Sequence, residues 1–531
     1  MRWTLLLVGA LLSDVVLAQA GWMPLSREVE QPYATSLQQF GSDHHTAIRP
    51  YRLRDVRALP DVDSLRPAAA LGALDRWAGV DGDRKFRWGP LADASVGFDG
   101  RGEDPLRHTL GGGFWTDVDV NDKLSFHLDA QAWGQRFAGY LDTLVRATQV
   151  TPGLGYAHGT GPDVVHYDIN GHVSWDPGKY FNLTMGRGRN FFGEGHRSLM
   201  LSSEAYSYPY LRITTTVWKV KYVNLFTRMS DIRDADGVPS RFRGKYTSMH
   251  YLSWNVGKRF NLALFEAVVW QQGDSAYPRG FDINYVNPII FYRPVEFDIG
   301  SPDNALLGGA INVKVGRHTL LYSQLMLDEL LMSNVRARNG WFGNKQSLQL
   351  GVVAREAFGV PGLVLRGEWN YVRPFMYSHS DTRQNYAHHG QALAHPYGSN
   401  VNELVAHADR WQGRWHVGLR MSMAWMGADS VDSYGNNIFR PERDRPRNEN
   451  GALVNFGYRM GDYTPLSLFH GEVRGGLLLD PHTGTRLEFS YMYRQRTLGT
   501  EAATMDHFLR LGLVCHFRDR HPEQEVRYVI P

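Results

Sequence analysis

Four stretches of the chain alternate apolar and polar residues with a period of two. In KLSFHLDAQAWG, residues 123–134, Leu124, Phe126, Leu128, Ala130 and Ala132 oppose Lys123, Ser125, His127, Asp129 and Gln131. In VHYDINGHVSW, Val165, Tyr167, Ile169, Val173 and Trp175 oppose His166, Asp168, Asn170, His172 and Ser174. HVGLRMSMAW sets Val417, Leu419, Met421, Met423 and Trp425 against His416, Arg420 and Ser422. TRLEFSYMYR does the same with Leu487, Phe489, Tyr491 and Tyr493 against Arg486, Glu488, Ser490 and Arg494. Successive side chains of a strand point to opposite faces, so each segment predicts a strand with one apolar and one hydrogen-bonding face. The lengths match the ~9–11 residues of a tilted membrane-crossing strand. No long segment after residue 90 carries a helical period, so that region reads as nearly all β.

Alternation fits a β-sandwich as well as a membrane barrel. Three features favour the barrel. Short turns carry aromatics on either side: Trp175 and Phe181 flank Asp176-Pro177-Gly178-Lys179, and Trp254 and Phe260 flank Gly257-Lys258-Arg259. Amphipathic rings so placed suit a membrane interface. Other connections, 378–400 and 427–450, are long and polar. The last strand, FLRLGLVCHF, puts Leu509, Leu511, Leu513, Cys515 and Phe517 on one face. The expected fold is an all-β, antiparallel transmembrane outer-membrane barrel, and residues 89–517 accommodate about 16–18 strands. Residues 452–494 do not alternate cleanly between upward and downward strands.

The ends read differently. MRWTLLLVGALLSDVVLAQA, residues 1–20, has the charged start, apolar run and small-x-small ending of a secretory signal peptide, which predicts export. Residues 21–88 carry Pro24, Pro32, Pro50, Pro60 and Pro67, with one short helix expected in RPAAALGALDRWAG. They read as a mostly irregular, partly helical periplasmic or lumen-capping segment, and 518–531 as a polar tail. The net charge of +3 argues against a nucleic-acid partner, and a single cysteine, Cys515, precludes an internal disulfide. Outside the first twenty residues no apolar run reaches the ~18 residues of a membrane helix.

GRGRNFFGEGHRSLMLSS, residues 186–203, resembles a phosphate loop but fails both patterns. After Gly188 and Gly193, Glu194 and Gly195 stand where a Walker loop needs Lys and Ser or Thr; Phe191 occupies the third glycine position of a dinucleotide motif. The stretch reads as a strand running into a glycine-permitted bend. Arg187, Arg189 and Arg197 then either pair with lumen carboxylates such as Glu194 or contact an acidic sugar polymer. Asp328 and Glu329, adjacent on a strand, point apart and make a poor glycosidase pair. His379, His388, His389 and His395 lack metal-ligand spacing, and no G-x-S-x-G elbow is present. No catalytic residue, metal or cofactor is assigned. Arg366, Glu368, Asn370, Glu472, Arg474, Arg486 and Glu488 mix both signs on lumen-facing positions, which predicts an internally salt-bridged, partly filled barrel.

GRGRNFFGEGHRSLMLS, NPIIFYRPVEFDIGSPDNALLGG (287–309), YSQLMLDELL (322–331), GWFGNKQS (340–347), WNYVRPFMYSH (369–379) and ALAHPYGSN (392–400) together resemble the Wzi-type capsule-assembly family. The likeness runs from HTAIRPY to the last strand and is nearest to the branch of RemB-type gliding-motility proteins. It implies an outer-membrane barrel of about eighteen strands, a periplasmic helical element, capture of capsular polysaccharide and no enzymatic activity. The chain departs from that pattern in lacking an evident N-terminal helical bundle and in its polar tail. The distinctive motifs supply the candidate polysaccharide-binding residues: Arg187, Arg189, Glu194, His196, Arg197, Asp303, Asn304, Arg373, His379, His395 and Asn400. The expected function is a monomeric, non-enzymatic barrel that binds or organises surface polysaccharide, with outer-membrane lipid as its surroundings. The alternatives are an accessory of gliding motility or adhesin export, with motility or secretion-machinery proteins as partners; an outer-membrane channel; and a barrel hydrolase.

Overall fold

The computed structural model describes residues 21–59, 86–101, 104–159, 161–233, 235, 237–273, 280–290 and 303–519. The segments expected as signal peptide and as the helix near residue 70 lie outside them. Eighteen antiparallel strands close into one barrel. In chain order they are β1 Phe86–Asp99, β2 Leu106–Asn121, β3 Leu124–Arg136, β4 Val164–Trp175, β5 Phe181–Gly188 and β6 Tyr208–Val217. There follow β7 Val220–Asp231, β8 Arg243–Asn255, β9 Phe260–Gln271, β10 Asn304–Val315, β11 Thr319–Leu327 and β12 Gln346–Arg355. The last six are β13 Leu363–Val372, β14 Val401–Gln412, β15 Trp415–Ala428, β16 Thr464–Asp480, β17 Thr485–Leu498 and β18 Thr504–Val514. Each strand pairs with the next, and β1 closes on β18 through Ala94↔Leu513 to Asp99↔Phe508.

The period of two sets the wall. Val165, Tyr167, Ile169, Val173 and Trp175 are all exposed on the outside of β4, while His166, Asp168 and Ser174 are buried inside. The same division holds on β15 and β17, where Val417 and Leu487 face out and His416 and Arg486 face in. The tight connections share one end of the barrel, ringed by Trp175, Phe181, Trp218, Phe260 and Trp415. By the usual order of such barrels this is the periplasmic end, with the long loops outside. In the irregular region 452–494, residues 429–463 are one long loop, followed by the seventeen-residue strand β16 and by β17.

Two sectors depart from simple alternation. On β7–β11 the inward side chains are themselves apolar: Val223, Leu225, Met249, Tyr251, Phe265, Leu306 and Met326 pack on Phe192, Leu199, Met200 and Leu201 of the β5–β6 loop. A second core therefore lies inside the barrel, and these strands lack the polar lumen face found elsewhere on the wall. Outside the same sector, Asn224, His250 and Glu266 lie in one cross-strand row yet are buried. Residues of the β9–β10 loop cover them: the Tyr222 hydroxyl donates to Pro288 O (2.6 Å), the Ser248 hydroxyl donates to Tyr285 O (2.8 Å), and the Tyr285 ring packs 4.7 Å from that of Trp270. This part of the wall faces protein.

The N-terminal segment fills the lumen from the periplasmic side. Helix α1, Arg27–Gln38, starts at Ser26, whose hydroxyl accepts from Val29 N, and carries Glu28 and Glu30 in its first turn. An N-cap and acidic first turn favour a helix start, and they outweigh Pro32, one of the prolines that made the region read as irregular. A short helix α2, Leu53–Arg57, follows; Met23, Val29, Leu37, Val56 and Leu59 form the local core. The closing strand is shorter than the pattern FLRLGLVCHF implied. Leu509 and Leu511 face out, but after Val514 the chain turns inward: Cys515 and Phe517 pack on Leu91 and Trp115, and Arg518 pairs with Asp129 and Asp168.

Candidate functional site

The stretch that resembled a phosphate loop forms the tip of an inward-folded plug. Residues 189–207 leave β5 at the loop end and descend into the lumen. Phe191–Phe192 pair there with Ile48–Arg49, so the loop and the N-terminal segment share a two-stranded ladder. Gly193 has φ +148°, a backbone conformation that side chains other than glycine's rarely adopt, and its open Cβ position faces the Gln324 amide. The wall grips the tip through two carboxylates. Glu368 on β13 accepts from His196 N (2.6 Å), Arg197 N (3.0 Å) and the Tyr322 hydroxyl (2.8 Å). Glu403 on β14 receives Arg197 Nη2 at 2.9 Å and His395 Nε2 at 2.9 Å, while Arg197 Nη1 also reaches Glu204 at 3.3 Å. From below, Arg27 donates to Gly195 O (2.8 Å) and His196 O (2.6 Å). Glu28 meets Arg474 at 2.7 Å and Arg486 at 3.2 Å. Burial would raise the Glu28 carboxyl, but those arginines outweigh it and hold the group well below the usual carboxylate range.

Most residues expected to hold polysaccharide are packed into this plug or its supports. Arg197, His395 and Asn400 are fully buried. Arg189 donates to Gly153 O and Ser203 O, Glu194 accepts from Gln38 and Thr46, and the His196 ring packs edge-on against that of His407. Asp303 accepts from the Tyr285 hydroxyl, Asn304 donates to Gln384 O, and Asn400 donates to Gly427 O. These side chains are buried, and their bonds go to neighbouring side chains and main-chain carbonyls. Their polarity is explained by the need to pair every buried polar group. Arg373 and His379 are half-buried in the β13–β14 loop, and Arg187 stands apart on the outer wall. The lumen-facing charges behave as the mixed signs implied: Arg366 donates to Glu194 O, and Arg486 and Arg510 both reach Glu488.

What remains open lies beside and above the plug. A cavity of about 170 Å³ runs along the wall from Arg136 to His516, with Trp133, Tyr140 and Phe508 among its lining. A smaller one of about 100 Å³ lies against α1 between Glu30, Arg366 and Arg420. On the extracellular face the β15–β16 loop raises a stacked pair, Tyr434 and Tyr463, with ring centroids 3.3 Å apart. Tyr463 is 46% exposed, and Phe456 of the same loop is exposed as well. Neither tyrosine was singled out in the sequence. The signal available was an aromatic in each arm of a long polar loop, and only folding brings residues twenty-nine apart into contact.

The β13–β14 loop also carries a titratable lock. Its hairpin Ala387–His388 with Gln391–Ala392 docks on the free edge of β7, where Ser230 N donates to His388 Nδ1 (3.0 Å) and His389 N donates to Ser230 O (2.7 Å). Burial pushes His388 well below the ordinary histidine range. Burial and then Arg187 push His389 down to about 4. The folded state thus binds fewer protons than the unfolded one below pH 6.5, so this contribution is present at pH 7 and is lost as pH falls toward 4. Hydrogen exchange of residues 386–393 is expected to quicken between pH 6.5 and 4.5 while barrel strands stay protected. A flat profile would mean that the two histidines are not held neutral.

An antiparallel eighteen-strand wall, apolar outside and occupied within by its own N-terminal segment and an inward loop, defines an outer-membrane-type barrel with a filled lumen. No protein-family model and no curated protein sequence matches the chain. Among solved structures it is similar to Wzi, an outer-membrane protein involved in group 1 capsule assembly in Escherichia coli and described as a carbohydrate-binding β-barrel. The TM-score is 0.54 at 10% identity, covering 91% of this chain and 96% of that one. OccAB4 of Acinetobacter baumannii aligns at TM-score 0.41 and 7% identity over 81% of this chain and 97% of its own. The outer membrane protein OprD of Pseudomonas aeruginosa aligns at TM-score 0.40 and 9% identity over 82% and 96%.

Proposed function

We propose that this protein is a non-catalytic outer-membrane barrel that binds surface polysaccharide on its extracellular face. The observation that carries the reading is the filled lumen. A wall of this strand number encloses an aqueous channel when empty, whereas here α1, the 189–207 loop and the turned-in tail occupy it and pair its charges. The working surface is then the loop end. The exposed rings of Tyr463 and Phe456 offer flat apolar faces to the C–H side of sugar rings, and the arginines and asparagines of the same loop offer donors to their hydroxyls. The likeness in fold to a carbohydrate-binding barrel supports the same reading.

The test is binding of the detergent-purified barrel to the surface polysaccharide of the cell that makes it. Saturable binding is expected, weakened about tenfold in Tyr463→Ala, the loss of one well-stacked ring. Phe456→Ala should act in the same direction. Absence of binding by a barrel that keeps its heat-resistant gel mobility would overturn the reading in favour of a role in motility or adhesin export. Steady conductance of the intact chain in a planar bilayer would favour the channel.

A further inference from the structure

A second recessed surface lies on the outer wall, on the lipid side of the barrel. Arg187 on β5 is paired with Pro209 on β6, and Tyr210↔Thr227 sets the next register, so Pro209 lies beside Arg228 on β7. The two guanidinium-bearing positions thus face outward in one row, two strands or roughly 10 Å apart. They stand where the apolar band ends: Met185, two residues before Arg187 on the same face, is 70% exposed. Loops roof the row. The Arg187 guanidinium lies 4.7 Å from the Tyr206 ring centroid, and the Tyr206 hydroxyl donates to Tyr167 O at 3.1 Å. His389 comes down beside them, its ring 4.9 Å from Tyr206 and 5.7 Å from Phe242. Together they enclose a cleft of about 460 Å³.

Three features make the cleft a site. Neither arginine has a carboxylate within ion-pair distance among the described residues, and Arg187 Nε donates only to a main-chain carbonyl, Ile169 O, at 3.0 Å. His389 lines the cleft, is only 6% exposed, and its Nε2 has no hydrogen-bond partner among the described residues. Tyr206 and Phe242 supply ring faces on two sides. Arginine is the side chain suited to bidentate phosphate contact. The two arginines stand on the outward face of the wall at the upper edge of the apolar band.

We propose that this cleft binds the phosphorylated sugar headgroup of an outer-leaflet glycolipid. Arg187 and Arg228 hold phosphate, and Tyr206, Phe242 and His389 flank the sugar. The inference rests on the outer-membrane placement of the proposed function but not on its polysaccharide binding.

The test uses the full chain, purified in detergent and stripped of lipid, then titrated in mixed micelles with lipopolysaccharide lacking the O-polymer. Tight binding is expected, weakened about tenfold by Arg228→Gln and further by Arg187→Gln with Arg228→Gln. Enzymatic removal of the phosphates from the glycolipid should reproduce the double variant's loss. Arg228 is exposed and bonds no other described residue, so the single variant tests the site without risk to the fold. Unchanged affinity in that variant, or equal affinity for the dephosphorylated glycolipid, overturns the proposal. So does loss of soluble acidic polysaccharide binding in the double variant with glycolipid binding intact, which would hand the cleft to the polymer. Polysaccharide binding measured in parallel keeps the two readings separable, since the glycolipid arm can fail while the polymer arm holds.

Discussion

Replacing Arg197 by alanine is expected to destabilise the folded plug by about 3–5 kcal/mol, the cost of leaving buried charges without their partner. Arg197 is 0% exposed and sits between Glu403 and Glu204, both buried, at 2.9 and 3.3 Å. Removing the guanidinium takes the shared cationic partner from two buried carboxylates and leaves Glu403 with His395 and Asn370. The strand wall is held by its own ladder and should survive. The visible effects are proteolytic cleavage within 189–207 and a lower temperature for the loss of compact gel mobility. A double-mutant cycle sharpens the test: Arg197→Met with Glu403→Gln should recover part of the loss, because the second change removes the orphaned charge. A single variant as stable as the parent, or strictly additive effects, would show that the pair does not hold the loop.

Removing residues 21–58 is expected to turn a silent barrel into a conducting one. The segment is tied to both wall and loop: the Ser26 hydroxyl donates to His516 O, Glu28 bridges Arg474 and Arg486, and Gly193 N donates to Ala47 O at 2.8 Å. Without it, the 189–207 loop loses the Ile48–Arg49 strand that pairs with Phe191–Phe192. The lower lumen then takes up water around Arg474 and Arg486. An eighteen-strand wall is wide enough for an aqueous path once its filling is gone. Planar-bilayer recordings should show discrete openings for the truncated chain and a flat baseline for the parent. Equal, silent traces would mean that the loop and tail seal the lumen unaided. Equal conductance in both would sink the filled-lumen argument for polysaccharide binding.

The outward rows on β3, β4, β15 and β17 were legible from residue order, because a wall strand between lipid and polar interior must alternate. The mixed lumen charges were legible for the same reason: opposite signs on inward positions announce pairing. The strands β7–β11 were not, since Leu225, Met249 and Phe265 face a second apolar core that exists only once the loop folds inward. Nor was α1, whose Ser26 cap and lumen contacts override Pro32.

The candidate residues divide along the same line. Arg197, His395 and Asn400 stood out as unusual polar residues in distinctive motifs, and polarity alone cannot say whether the partner is a polymer or another side chain. The sequence by itself determined the closed antiparallel wall, its strand number to within two, and a partly filled, charge-paired interior, because each follows from the period of two and the identity of the facing residues. Only the tertiary structure decided which segments fill the lumen, which arginines are consumed in doing so, and that Arg187 and Arg228 are left facing outward. Those outcomes depend on contacts between residues hundreds of positions apart, such as Glu28 with Arg486, and no local pattern encodes them.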